Sequence, residues 1–345
     1  MVTLKDISKE TGISLTQVSR ALGGYSDVNE KTREKVREAA KRLGYRPNAI
    51  AKGLKTGQTG FVAMVIPSDI DPSGREMMFD MVVGISQAIS RHGLKFLLHV
   101  VESDADVTGA FDQLYYGGGI DGFILTELKE PDSRVAYLKE RNIPFVVHGQ
   151  ATGVEHFFVD LDNFDVGQTL AGRLLDSGHR KILFLNGLDH RIYSTTRTAG
   201  VEQAFAVRDL APGALRISYG PMTRNRGREA VLDGFQSEDR PTAIIAGNMM
   251  LARGVYDAAA ECGLSIPGDL SVVAHDDVLI HYPAEGFDPA ICVTRSSLPE
   301  AWSVLADLIS RAVANGSADI ESVLMQPKLV EGASVAEPVG GSSTH

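Results

Sequence analysis

The sequence predicts an α/β protein in two parts: an N-terminal three-helix helix-turn-helix headpiece, then a two-lobed body of doubly wound parallel sheets. Three observations carry this. The first 45 residues hold three capped helical segments joined by short turns. From Phe61 onward, short runs rich in Val, Ile, Leu and Phe alternate with helical patterns, as strands buried on both faces by crossover helices do. Charge is divided the same way. Residues 1–60 hold 12 of the 34 Lys and Arg and 6 of the 44 Asp and Glu, a balance of +6, leaving 22 against 38, or −16, for residues 61–345. A basic head on an acidic body suits one face for a nucleic acid, which the chain average of −10 hides. With 345 residues, 43% of them apolar, the chain can bury a large core in more than one domain.

The first helix opens at Thr3-Leu4-Lys5-Asp6, a capping-box arrangement, and puts Leu4, Ile7, Ser8 and Thr11 on one face. Gly12 ends it and Ile13 plugs the corner. Ser14 caps the second helix, in which Val18 and Leu22 sit four apart and pack inward. Leu15, Thr16 and Arg20 then face outward, where a recognition helix meets base edges in the major groove. The Arg20 fork matches the O6/N7 acceptor pair of guanine. Ser14, Gln17 and Ser19 complete the candidate DNA contacts on this segment. A third helix starts at Asn29 or Thr32 and runs to Leu43, with Val36, Ala39, Ala40 and Leu43 as its apolar stripe and Gly44 as its left-handed end. Helix, glycine turn, Ser-capped helix is the helix-turn-helix order. The headpiece is therefore placed at 1–46.

Residues 47–60 form a link. Pro47 stops the third helix, and Asn48 can cap a short helix through Leu54 or Lys55. At barely two turns, with Gly53 inside, that helix is marginal alone. In the body, strands are expected at 61–66, 94–100, 122–125, 145–147, 181–185, 215–218, 242–246, 271–274 and 291–294. Helices are expected at 77–92, 107–116, 134–140, 166–177, 195–207, 224–235, 251–261 and 300–314. The Gly/Ser-rich end, 336–345, is expected to be disordered.

Ligands of open parallel sheets sit at the C-terminal ends of the strands. The polar side chains that follow strands here are Asp69, Thr126, His148, Arg191, Tyr193, Arg197, Asn248 and Asp276, the candidate ligand contacts. An Arg, an Asn and an Asp converging on one cleft can hold several hydroxyls, since each offers two or more bonds in fixed directions. That is the chemistry of a sugar site. Catalysis finds no support. Asp276 and Asp277 are adjacent on an extended segment and point opposite ways. His275 has no second His at ligand spacing, Gly117-Gly118-Gly119 is not followed by Lys-Ser/Thr as a P-loop would be, and G-x-S-x-G is absent. No catalytic residue, metal or cofactor is expected. Cys262 and Cys292 lack metal-ligand spacing and suit a reducing compartment. No apolar run approaches the ~18 residues of a membrane span, and Lys5 and Asp6 stand where a signal peptide needs apolar residues. A cytoplasmic protein is expected.

Residues 3–22, then Glu30-Lys31-Thr32-Arg33-Glu34-Lys35-Val36, then Leu43-Gly44-Tyr45-Arg46-Pro47-Asn48-Ala49 resemble the LacI/GalR family of bacterial transcriptional regulators. The resemblance extends over nearly the whole chain. It implies a hinge helix in 47–60 that orders on DNA against its dimer mate, with Asn48, Leu54 and Lys55 as DNA contacts. Leu54 would wedge into the minor groove and bend the duplex, while Lys55 meets phosphate or groove floor. It implies a periplasmic-binding-protein-like body over 61–335, with crossings between lobes near 160, 290 and 320. Lobe 1 would then span about 61–160 and 291–319, and lobe 2 about 161–290 and 320–335. It also implies that Arg197, Asn248 and Asp276 touch the ligand.

The chain departs from the family pattern in places. Met249 follows Asn248 where Asp is usual, and His275 stands where Tyr or Phe is common. Met222 lies where some members stack an aromatic ring, and Cys292 and Ser296 replace frequent Thr and Gln. A longer stretch at 67–84, together with His148, favours an oligosaccharide over a single ring. The expectation is a homodimeric repressor of carbohydrate uptake or catabolism genes, released from a near-palindromic operator by a small sugar. The alternative is a corepressor-type regulator whose ligand, a sugar phosphate or purine, promotes DNA binding. A transport-associated binding protein conflicts with the headpiece, and control by a partner protein draws slight support from the acidic body. The tail after Val330 lacks a heptad repeat, so a tetramer is not expected.

Overall fold

A computed structural model of the chain describes residues 2–45, 58–69, 72–234, 240–316 and 320–338. The proposed hinge helix, with Asn48, Leu54 and Lys55, lies outside the described residues. The chain divides into two units, 1–59 and 60–345.

The first unit holds α1 (Leu4–Thr11), α2 (Leu15–Leu22) and α3 (Glu30–Leu43). Their ends are set locally. The Thr3 backbone N–H donates to Asp6 Oδ2 at 2.8 Å, closing the capping box, and Gly12 ends α1 at φ 69°. Ser14 Oγ accepts from Gln17 N at 3.3 Å, and Asn29 Oδ1 from Lys31 N at 2.8 Å, which makes Asn29 the start of α3. Within the turn, Ser8 Oγ donates to Ile13 O and Thr11 Oγ1 to Ile7 O. Ile7, Val18, Ala21, Val28, Val36, Ala39 and Ala40 form the core these caps aim inward.

The second unit has two six-stranded sheets. In lobe 1 the order is β11 (Ser322–Met325), β5 (Phe157–Leu161), β4 (Phe145–His148), β3 (Gly122–Leu125), β1 (Phe61–Pro67), β2 (Lys95–Val101), all parallel. In lobe 2 it is β12 (Lys328–Val330), β10 (Cys292–Arg295), β9 (Ser271–Asp276), β8 (Ala243–Ala246), β6 (Ile182–Asn186), β7 (Leu215–Tyr219). There only the β10–β12 pair is antiparallel. Helices α4 (Pro72–Arg91), α5 (Val107–Tyr116), α6 (Ser133–Glu140) and α11 (Leu298–Asn315) belong to lobe 1. Helices α7 (Asn163–Asp176), α8 (Ile192–Ala206), α9 (Arg224–Gly234) and α10 (Met249–Glu261) belong to lobe 2. Each sheet has an apolar cluster on both faces, which is why its central strands read as unbroken apolar runs. No described helix is long and apolar enough to cross a membrane.

The lobe boundaries differ from expectation. β10 pairs with β9, so residues 292–295 belong to lobe 2, and β11 pairs with β5, so 322–325 belong to lobe 1. The crossings therefore fall at 162, 296–297 and 326–327. Strands β5, β11 and β12 have no counterpart among the expected strands. β5 and β11 hold apolar runs of only three residues, Phe157-Phe158-Val159 and Val323-Leu324-Met325, and β12 is a three-residue sheet edge, so all three are too short to stand out. The tail is tethered further than expected: the Ala336 carbonyl meets His179 Nε2 at 2.9 Å, and the Ala336 N–H donates to Ser271 Oγ.

Candidate functional site

On α2, Ser14, Leu15, Thr16 and Gln17 are exposed while Val18 is buried, so the helix offers its N-terminal outer face to solvent. Ser19 and Arg20 are half-exposed on the following turn. The Arg20 guanidinium forks onto Asp27, with Nη2 at 2.5 Å and Nε at 3.2 Å, and lies 4.8 Å from the Tyr25 ring centroid. This pairing holds a flexible cation in place on the presented face. The Arg20 hydrogen bond in turn holds the Asp27 carboxyl below the usual carboxylate range.

The larger site is a cavity of about 410 Å³ between the lobes. It lies at the C-terminal ends of the parallel strands, within the size range of small-molecule pockets. Six of the eight predicted contacts line it: Asp69, Thr126, His148, Arg191, Tyr193 and Arg197. The buried centre is Arg197. Its Nε and Nη2 donate to Asn163 Oδ1 at 3.2 and 2.6 Å, its Nη1 donates to Gly247 O at 2.6 Å, and Tyr193 lies beside it.

Two predicted contacts are not on the wall. Asn248 Oδ1 caps α10 by accepting from Leu251 N at 2.9 Å, and its Nδ2 donates to Met222 O. Asp276 accepts from Val278 N and from Arg295 Nε, both at 2.8 Å. The next residue, Asp277, lines the cavity instead and meets His275 Nε2 at 3.2 Å. Alternation along the strand end settles this: the side chains of 276 and 277 leave on opposite sides. The same alternation keeps the two aspartates from acting as an acid/base pair. His275 is buried, with Nδ1 on Thr294 Oγ1, so it is part of the lobe's packing.

The cavity also holds residues the sequence reading missed. Asp160 is the penultimate residue of β5, a strand with no counterpart among the expected ones, so no expected strand end points to it. Asn163 opens α7 at the crossing. Met77, Met78 and Met81 on α4, with Leu298 and Trp302 on α11, make an apolar wall. These come from helix flanks rather than strand ends and carry no local signal.

Electrostatics inside the cleft are mixed. Burial pushes the Asp160 carboxyl up to about 7, against the opposing pull of the Leu161 N–H, Gln150 and Arg197. Burial also acts on Asp277, but there His275, Arg197 and His148 outweigh it and hold the carboxyl below its ordinary value. Burial lowers the proton affinity of His148, which favours neutral imidazole, and Asp277 only partly offsets this. The lining cations are engaged. Lys129 pairs with Asp104 at 2.5 Å and Arg134 with Asp132 at 2.6 Å, and Arg191 Nη1 donates to the Glu127 carbonyl while its Nε lies 3.5 Å from the Glu127 carboxylate without a hydrogen bond; Arg197 is held as above. An uncharged ligand with many hydroxyls finds donors and acceptors here; an added phosphate would have to displace existing partners.

Residues 3–48 match the family model described as bacterial regulatory proteins, lacI family, and residues 171–335 the one described as periplasmic binding protein-like domain. The chain is 32% identical over 335 residues to the HTH-type transcriptional regulator AglR of Rhizobium meliloti (strain 1021), covering 96% of this chain and 94% of that one. The chain belongs to the LacI family of transcriptional regulators. Solved structures of the same fold include the lac repressor dimer bound to operator and the anti-inducer ONPF. That chain has a TM-score of 0.80 and 22% identity, covering 97% of this chain and 99% of that one. The complex of the transcriptional regulator CelR with cellobiose has a TM-score of 0.68 and 24% identity, covering 97% and 100%. The exposed α2 face lies within the residues matched to the lacI-family model, and most of the lobe 2 side of the cleft within those matched to the periplasmic binding protein-like domain.

Proposed function

We propose that this LacI-family regulator is a homodimeric repressor of carbohydrate uptake or catabolism genes. It binds a near-palindromic operator through α2, with Leu15, Thr16, Gln17, Ser19 and Arg20 toward the groove and Ser14 at the helix cap. An uncharged saccharide in the inter-lobe cleft releases it. The observation that carries this reading is the cleft itself: Arg197, Asn163, Asp160, Asp277 and His148 stand opposite an apolar wall, with the lining cations already paired. Sugars combine hydroxyls with apolar ring faces, and such a lining serves both. The cellobiose complex of a structural neighbour supports a saccharide, and the operator-bound dimer of another supports a dimer on DNA.

The link at 47–60 connects the two functions. Ligand-dependent spacing of the lobes in a dimer sets whether two copies of the link can order together over bent DNA, with Asn48, Leu54 and Lys55 in contact. Leu54→Ala is then expected to weaken specific binding more than non-specific binding, and equal losses would argue against the wedge. The test of ligand class is a thermal-shift panel of mono- and disaccharides, sugar phosphates and purines, with hits retested for operator binding by fluorescence anisotropy. A neutral saccharide should stabilise the protein and release the operator. If instead a purine or sugar phosphate tightens operator binding and no saccharide affects it, the corepressor reading replaces this one.

A further inference from the structure

An unpaired donor is buried behind the apolar wall of the cleft. Trp302, the only tryptophan in the chain, lines the cavity from α11 and is 5% exposed. Its ring is seated by Gly84 on α4, where a methyl group would overlap Cε3 and Cζ3 of the indole. Glycine at 84 thus lets the benzene edge lie directly on the helix backbone. The pyrrole edge, with Nε1, is on the opposite side of the ring. Nε1 is buried and has no hydrogen-bond partner among the described residues. A buried indole N–H normally finds an acceptor, because leaving it unpaired is costly. Met78 and Met81 pack against the same core cluster as Trp302, and Met77 lines the cavity beside them. Unbranched thioether chains re-pack at low cost, so this side of the wall can yield to a ligand. Across the cleft, lobe 2 offers Met222 and the Tyr193 ring, both packed on the same apolar cluster.

We infer that Trp302 is the specificity-determining residue of the cleft: its indole covers an apolar ring face of the effector, and its N–H donates to an effector oxygen beside that face. This rests on the saccharide reading above and adds a selection rule to it. The donor has no surface exposed to the cavity, so a ligand gains a bond there by displacing the methionine side of the wall and supplying an acceptor, and one that presents only apolar surface leaves the N–H unpaired. Gly84 acts as a positioning residue, through the seat it gives the ring.

The single tryptophan supplies the assay. Full-length protein is titrated with glucose, galactose, maltose, cellobiose, melibiose and raffinose, and indole emission and thermal shift are followed together. A saccharide that stabilises the protein should change the emission with the same midpoint. Trp302→Phe, which keeps an aromatic wall without the N–H, should bind that saccharide about 3- to 10-fold more weakly. Gly84→Ala keeps the indole but displaces it, and should move the midpoint as well. Unchanged affinity in Trp302→Phe overturns the inference while leaving the saccharide reading intact. If that variant does not fold, an unchanged midpoint in Gly84→Ala, or a stabilising saccharide that leaves wild-type emission unaltered, overturns it equally. If no saccharide binds at all, both the cleft reading and this inference fall.

Discussion

Asp160→Asn offers a test of the cleft that needs no ligand. In the folded chain burial raises this carboxyl from 3.8 to about 7. Between those values the native state holds a proton that the unfolded chain has already released. Stability therefore falls as pH rises through this window, at about 1.36 kcal/mol per pKa unit. The full cost is roughly 4 kcal/mol above pH 7 and vanishes below pH 4. Asparagine has no charge to bury, and its Oδ1 can still accept from Leu161 N, which now donates to Asp160 Oδ1 at 2.8 Å. The variant should thus match wild type at pH 4 and exceed it progressively to pH 8. At roughly 2 °C per kcal/mol for a domain of this size, its Tm should be higher by roughly 8 °C at pH 8. Differential scanning fluorimetry of both proteins from pH 4 to pH 8 measures the gap. A constant difference across that range, or a variant less stable at pH 8, would show that Asp160 does not carry a buried, raised carboxyl.

Five further variants test single residues by role. Asp277→Asn should bind operator but resist release by the effector. Asp276→Asn should keep release yet lose about 2 kcal/mol of stability, because it weakens charged hydrogen bonds to Arg295 and Val278; thermal denaturation with operator anisotropy distinguishes the two, and reversed phenotypes would return Asp276 to the cleft. Arg20→Ala should cost about 1–3 kcal/mol of specific operator binding and relax discrimination at one base pair. Asp27→Asn frees the same guanidinium from its 2.5 Å ion pair and should raise non-specific DNA affinity, measured as a shift in the salt dependence of binding. Gly200→Ala should destabilise the body by about 1–3 kcal/mol, since a methyl group there overlaps the Phe164 carbonyl where α7 and α8 touch. A wild-type Tm in that variant would contradict the close helix approach.

The site was partly legible because much of it sits at strand ends. Thr126, His148 and Arg197 could be found by asking which polar residues follow apolar runs. Asp160 escaped because the apolar run before it, Phe157-Phe158-Val159, is only three residues long, and Trp302 because a helix flank facing a cavity looks like any other buried flank. Asn248 and Asp276 show the opposite failure. They follow strands and match a family pattern, yet their hydrogen bonds are spent on Leu251, Met222, Val278 and Arg295.

By itself the sequence determined the three headpiece helices, the parallel sheets and the family. Caps such as Thr3–Asp6 and Ser14–Gln17 close within four residues, and apolar runs report burial without any partner being known. Only the tertiary structure decided where the chain crosses between lobes, which aspartate faces the cleft, and that Trp302 stands on its wall. Those depend on pairings such as β11 with β5 and on the seating of α11 against α4, between segments some 160 and 220 residues apart in the chain. Local spacing carries no record of contacts that distant, because they arise only when the sheets close and their helices pack.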